Sequence, residues 1–218
     1  MVNTDFEPID MEKWERREHF AYYTNTLRTS YHMNTDIDIT TFYAWVKKNG
    51  YRFFPSFLYV IMTAVNQNKE FRMAYKDDVL GFYKQCHPSY TIFHKDDCTF
   101  SDIWSEYDSD FKNFYNNCIG DMEKYKDIKG VKTKPGRPDN FCPISCAPWV
   151  TLTGFGHDTP GPSKMYFPVI NFAKFYEKEG KRYLPLSVFV NHAAADGYHT
   201  SKLILDIQRI TNEMEKVE

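Results

Sequence analysis

The stretch Val188-Phe189-Val190-Asn191-His192-Ala193-Ala194-Ala195-Asp196-Gly197 decides how this chain is read. Before it and within it, Leu186, Val188, Val190 and His192 alternate with Ser187, Phe189 and Asn191, the period-two pattern of a strand. Past Gly197 the period changes: Leu203, Ile207 and Ile210 recur at helical spacing, with Lys202, Asp206 and Arg209 between them. A histidine therefore stands at a strand end, followed by small residues, an Asp-Gly turn and a helix. The alanines are expected to leave room beside the imidazole. Gly197 is expected to permit a backbone conformation closed to other residues, and Asp196 to fix the loop. An imidazole held beside open space is what a general base needs.

Working outward, composition narrows the classes. A chain of 218 residues is long enough to bury a proper core as one domain or two small ones. A formal net charge of -2 gives no broad electrostatic footprint for nucleic acid. The 18 Phe, 16 Tyr and 4 Trp suggest a large core plus aromatic-lined pockets or subunit contacts. Cys86, Cys98, Cys118, Cys142 and Cys146 lack metal-ligand spacing, and no signal peptide is evident. They read as reduced thiols of a cytoplasmic protein. Cys142 and Cys146 are too far apart for a CxxC redox pair. No apolar run approaches membrane-spanning length.

In chain order, Asp10 is expected to cap a helix carrying Trp14, Phe20, Tyr23 and Leu27. Residues 36–40 alternate like an exposed or edge strand. Thr40 or Thr41 should then cap a helix ended by Asn49-Gly50. Residues 51–55 read as a turn and 56–67 as a deeply buried helix. Residues 71–100 read as strands with hairpin turns at Lys76-Asp77-Asp78 and near His87-Pro88. A long amphipathic helix is expected over 108–126, and an exposed loop over 130–140. Short strands should follow in 141–153 and 165–175, then the 183–192 strand and the final helix. No repeat, low-complexity tract or domain linker interrupts the chain. Strands and helices mix without strict alternation, which predicts an α/β two-layer sandwich with a mixed, largely antiparallel sheet.

Further landmarks accompany His192-x-x-x-Asp196-Gly197. They are Trp14-x-Arg16-Arg17-Glu18-His19-Phe20, Ile37-Asp38-Ile39-Thr40-Thr41, Ala64-Val65-Asn66-Gln67, Phe71-Arg72-Met73-Ala74, Thr91-x-Phe93-His94 and Ile144-Ser145-x-x-Pro148-Trp149. In order and at these separations, the chain resembles the type A chloramphenicol O-acetyltransferases, within the CoA-dependent acyltransferases. The resemblance runs from about Trp14 to the final helix. His-x-x-x-Asp-Gly alone is shared with dihydrolipoyl acyltransferases and peptide-synthetase condensation domains.

The resemblance implies one acetyltransferase domain over residues 1–218 and acetyl transfer from acetyl-CoA to a primary hydroxyl of chloramphenicol, without a metal. His192 matches the general base and Ser145 the serine that stabilises the oxyanion. Asp196 matches a carboxylate that pairs with Arg16 and holds the catalytic loop. Tyr23, Leu27, Thr29, Phe100, Phe155 and Asn171 match the drug pocket. Arg52, Phe54, Trp149, Lys174 and Phe175 match the acetyl-CoA side. The family is a homotrimer whose active sites lie between subunits.

Four kinds of departure stand out. Asn191 replaces a histidine next to the base, on the opposite strand face. Asn171 replaces a threonine that works through water. Arg52, Phe54 and Phe175 replace lysine or tyrosines. His157 stands where the pocket is often apolar. Two rival readings remain: an acyltransferase of another small hydroxyl compound, and a non-catalytic relative that sequesters the drug. Thiol chemistry at Cys146 or Cys98 would need a base partner that the sequence does not supply.

Overall fold

The computed structural model describes residues 2–157 and 165–217. In chain order the elements are β1 (Phe6–Pro8), α1 (Arg17–Asn25), β2 (Ser30–Asp38), α2 (Thr40–Lys48) and α3 (Phe53–Gln67). A 3₁₀ turn (Lys69–Arg72) leads into β3 (Met73–Lys76), β4 (Val79–Tyr83), β5 (His87–His94), β6 (Thr99–Trp104) and α4 (Phe111–Tyr125). The chain ends with β7 (Phe141–Ala147), β8 (Val169–Ala173), β9 (Tyr176–Lys178), β10 (Lys181–Asn191), α5 (Gly197–Glu213) and a last 3₁₀ turn.

The stretch ending at His192 is the second half of β10, the longest strand. Seven strands form the main sheet in the order β2-β10-β8-β7-β5-β6, with β9 on the first residues of β10. The β5–β7 and β7–β8 pairs are parallel, and the rest are antiparallel. This is the mixed, largely antiparallel sheet expected from the sequence. β1, β4 and β3 form a separate small sheet.

Register carries the hydrophobic pattern from strand to strand. Val188 faces Ile170, Ile170 faces Ile144, Ile144 faces Tyr90, and Tyr90 faces Ile103. All five are buried, in one cluster with Phe42 of α2, Phe57 and Ile61 of α3, Phe114 of α4, and Leu203 and Ile207 of α5. Each such side chain removed from water contributes about 1.5–3 kcal/mol. Helices thus cover one face of the sheet, which makes the two layers. Among the described residues no helix is long and apolar enough to cross a membrane.

A second buried cluster joins Trp14 and Phe20, Met73 and Leu80 of the small sheet, and Ala193 and Ala194. Gly81 lets β1 approach β4 closely, since a Cβ there would run into Glu7 O and the Phe6 ring.

Several local expectations change. Asp10 heads a turn rather than a helix: its carbonyl accepts from Lys13 and Trp14 N–H, and α1 begins only at Arg17. Trp14 there packs against Phe20 and Phe82, so the segment follows the small sheet. Leu27 falls beyond the helix and is exposed. β2 is an edge strand as expected, but it begins at Ser30 and ends at Asp38, whose carboxylate accepts from Thr40 N–H and Oγ1. Phe53 to Pro55 are the first turn of α3, where proline's missing N–H has no helical partner to lose. His87-Pro88 lies inside β5; the β5–β6 turn is at 95–98. The hairpin at Asp77-Asp78 forms as expected, both residues at positive φ. The strand expected over 141–153 stops at Ala147.

Candidate active site

The strand tip is built first. His192 N–H donates to Thr29 O at 3.1 Å, which ties the tip of β10 to the start of β2. The imidazole stacks on the Tyr23 ring, with centroids 3.8 Å apart and planes 9° off parallel. Tyr31 meets it edge-on at 5.0 Å. The alanines do not open space beside the ring: Ala193, Ala194 and Ala195 are buried, and they wedge the turn into the core. Gly197 is not in the positive-φ region; it is the first residue of α5. Asn191 caps the turn, its Oδ1 accepting from Ala193 N–H at 3.0 Å.

Arg16 reaches across from before α1. Its Nη1 donates to Asp196 Oδ2, and its Nη2 lies 3.5 and 3.4 Å from the His192 and Ala193 carbonyls. The other carboxylate oxygen, Oδ1, lies 3.3 Å from His192 Nδ1. Burial alone would push the Asp196 carboxyl up. The hydrogen bond and charge of Arg16, helped by His199 and His192, hold it below the usual carboxylate range. Asp196 therefore stays ionised beside the imidazole. Tyr31 ties the loop to α5 through Ala195 O (3.1 Å) and Thr200 Oγ1 (2.7 Å).

The second centre is a cleft of about 420 Å³ on the sheet face away from the helices. Its floor is a polar row across four strands: Asn34 faces Ser187, Ser187 faces Asn171, and Asn171 faces Ser145. The 151–155 loop, Ala173 and Tyr176 also line it. Asn171 is buried, and its Nδ2 has no hydrogen-bond partner. Phe155 is pinned at both ends of its backbone: N–H donates to Asn34 Oδ1 (3.0 Å), and its carbonyl accepts from Ser187 Oγ (2.9 Å). His157 is exposed, its N–H donating to His32 Nε2 at 3.0 Å.

The remaining sequence-predicted residues fall around these centres. Tyr23 and Thr29 join His192, whereas Leu27 and Phe100 are exposed (49% and 56%) and outside the cleft lining. Phe155, Asn171 and Ser145 share the cleft. Phe54 packs on Phe172, which lines it, and on Tyr90. Lys174 is exposed, its N–H bonded to Val150 O. Phe175 packs on Tyr43, and exposed Trp149 on Phe93. Arg52 is exposed at the start of α3, its N–H donating to the Tyr115 hydroxyl at 3.0 Å. Burial pushes the Cys146 thiol up to about 12, so it stays protonated at neutral pH.

Within one chain the two centres do not meet. His192 lies five residues beyond Ser187 along the strand direction, and Ser145 is two strands over from Ser187. With about 3.3 Å per residue and about 4.8 Å per strand, the backbones of His192 and Ser145 are on the order of 20 Å apart. Sequence reasoning missed Asn34, Ser187 and Tyr176 in the cleft, and Tyr31 and His199 at the tip. In the sequence Ser187 is only an alternating strand residue between Leu186 and Val188; what places it in the floor is cross-strand register.

A solved chloramphenicol acetyltransferase superposes with a TM-score of 0.84 at 21% identity, over 95% of this chain and 100% of the other. The fold is therefore that of an acyltransferase with a mixed sheet. The family model for chloramphenicol acetyltransferase matches residues 4–208. Chloramphenicol acetyltransferases of Clostridium perfringens and Staphylococcus intermedius are each 38% identical to this chain over 96% of its length, and over 96% and 98% of their own. The chain belongs to the chloramphenicol acetyltransferase family.

Proposed function

We propose that this chain, acting as one domain, transfers the acetyl group of acetyl-CoA to a primary hydroxyl of chloramphenicol and so confers resistance. The observation that carries this reading is the held imidazole of His192. Asp196 Oδ1 lies 3.3 Å from Nδ1 without a hydrogen bond between them, and its negative charge favours the proton on that side of the ring, leaving Nε2 its lone pair. Nε2 takes the proton of the drug hydroxyl as its oxygen attacks the thioester carbonyl in a ternary complex. Base help of this kind is worth roughly 10²–10⁴-fold. The Ser145 hydroxyl donates to the oxyanion that forms, a contribution of about 3–4 kcal/mol. The oxyanion collapses, the C–S bond breaks, and the CoA thiolate takes the proton from His192. Asp196 and Arg16 hold the base in place throughout. Tyr23, Leu27, Thr29, Phe100, Phe155 and Asn171 receive the drug. Arg52, Phe54, Trp149, Lys174 and Phe175 receive the coenzyme, and the scheme asks nothing of a metal.

The separation of His192 from Ser145 supports a homotrimer in which one subunit's base serves its neighbour's cleft. Exposed Trp149, Phe93 and Phe100 suit contact between subunits. Five free thiols suit a cytoplasmic enzyme. The test is release of CoA thiol with acetyl-CoA and chloramphenicol. His192→Ala should fall roughly 10²–10⁴-fold at unchanged oligomeric state. Wild-type turnover in that variant would sink the role of the base. Light scattering should show three copies per particle, and a fully active monomer would sink the shared site.

A further inference from the structure

The site as read so far leaves His199 unused. It lies at the third position of α5, where a capping box normally carries Glu or Gln. Its Nδ1 accepts from Asp196 N–H at 3.2 Å, so that nitrogen carries no proton. The same Nδ1 lies 3.8 Å from Asp196 Oδ2, the oxygen that Arg16 Nη1 holds. Two histidines therefore flank one carboxylate: His192 against Oδ1, His199 against Oδ2 and the backbone N–H.

We propose that neutral His199 is a positioning residue for the catalytic loop, and that its protonation releases the loop by competing with Arg16 for the Asp196 carboxylate. A proton on Nδ1 removes the acceptor for Asp196 N–H. It also places a positive charge 3.8 Å from Oδ2. The cap opens and the carboxylate is drawn off the guanidinium, so the imidazole of His192 loses its fixed neighbour. This rests on the proposed role of His192.

The charged and titratable groups around His199 come from five parts of the fold. Arg16 from before α1 disfavours the charged ring; Glu70 from the 3₁₀ turn and Asp196 favour it. Tyr198 of α5 meets the ring at 5.5 Å, and His192 at the tip of β10 and Tyr31 of β2 act through Asp196. Burial outweighs these and holds His199 below the usual histidine value. The unfolded chain then takes up this proton first. The stability tied to neutral His199 is complete above about pH 6.5 and is lost as pH falls.

The experiment compares wild type, His199→Leu and His199→Asn. Asparagine keeps an acceptor near the Nδ1 position and cannot titrate. His199→Leu should lower kcat/KM roughly five- to thirtyfold at pH 8, the factor for one lost cap, and His199→Asn should restore most of it. On the acid side, log kcat/KM of the wild type should fall more steeply than that of His199→Asn, because protonation of His199 adds to the loss. Melting temperature against pH, without substrate, should show the wild type losing ground to His199→Asn below about pH 6.5. Superimposable acid limbs and melting curves, or a fully active His199→Leu, would overturn the proposal. Should the wild type acetylate nothing, the proposed function falls, and the melting comparison still decides whether His199 governs the loop.

Discussion

Ile144 and Ser145 are consecutive residues of one strand, yet they belong to different worlds. Ile144 stands in the row Val188, Ile170, Ile144, Tyr90, sealed under the helices. Ser145 stands in the row Asn34, Ser187, Asn171, Ser145, which floors the cleft. The pleat sends successive side chains to opposite faces, so one residue separates stability from chemistry. A slip of one position would carry the hydroxyls into the core and the apolar row into the cleft. The same register that closes the core therefore aligns the site.

Paired substitutions can break this contrast. Ile144→Ala should cost about 2–5 kcal/mol of unfolding free energy, from lost burial plus a cavity. The folded fraction should keep its kcat. Ser145→Ala should do the reverse: kcat falls by roughly 10²–10³ while the denaturation midpoint barely moves. If Ser145→Ala melted as early as Ile144→Ala, or Ile144→Ala lost as much kcat, the division between the rows would be wrong. Ser187→Ala sharpens the contrast on a smaller scale. It removes one hydrogen bond to the Phe155 carbonyl. KM for chloramphenicol should rise roughly two- to tenfold with kcat nearly unchanged. A fall in kcat at constant KM would instead place Ser187 against the reacting atoms.

Legibility in the sequence followed the range of the interactions. The β10 strand, α3 and α5 were readable because their periodicity is local and strong: α3 buries Phe57, Leu58, Val60 and Ile61 completely. The 10–16 segment was misread because the partners of Trp14 are Phe20 and Phe82, the latter far along the chain. His87-Pro88 looked like a turn, but the buried His87 takes Tyr107 N–H on Nδ1, a contact no local pattern announces. The alanines after His192 were readable as small, but their purpose was not. Ala193 and Ala194 fill a cluster with Trp14, Phe20 and the small sheet, and Ala195 joins the main core.

The sequence by itself determined the alternation that makes β10 a strand, the helical period after Gly197, and the identity of the groups able to move a proton or bind an oxyanion. Those follow from side-chain chemistry and neighbours a few residues away. Only the tertiary structure decided that Arg16 meets Asp196 across 180 residues, that Asn34, Ser187, Asn171 and Ser145 form one floor, and that His192 lies far from Ser145 within a chain. Those depend on strand order and register, which local periodicity does not encode, because it gives the face a residue occupies but not the strand it will lie beside.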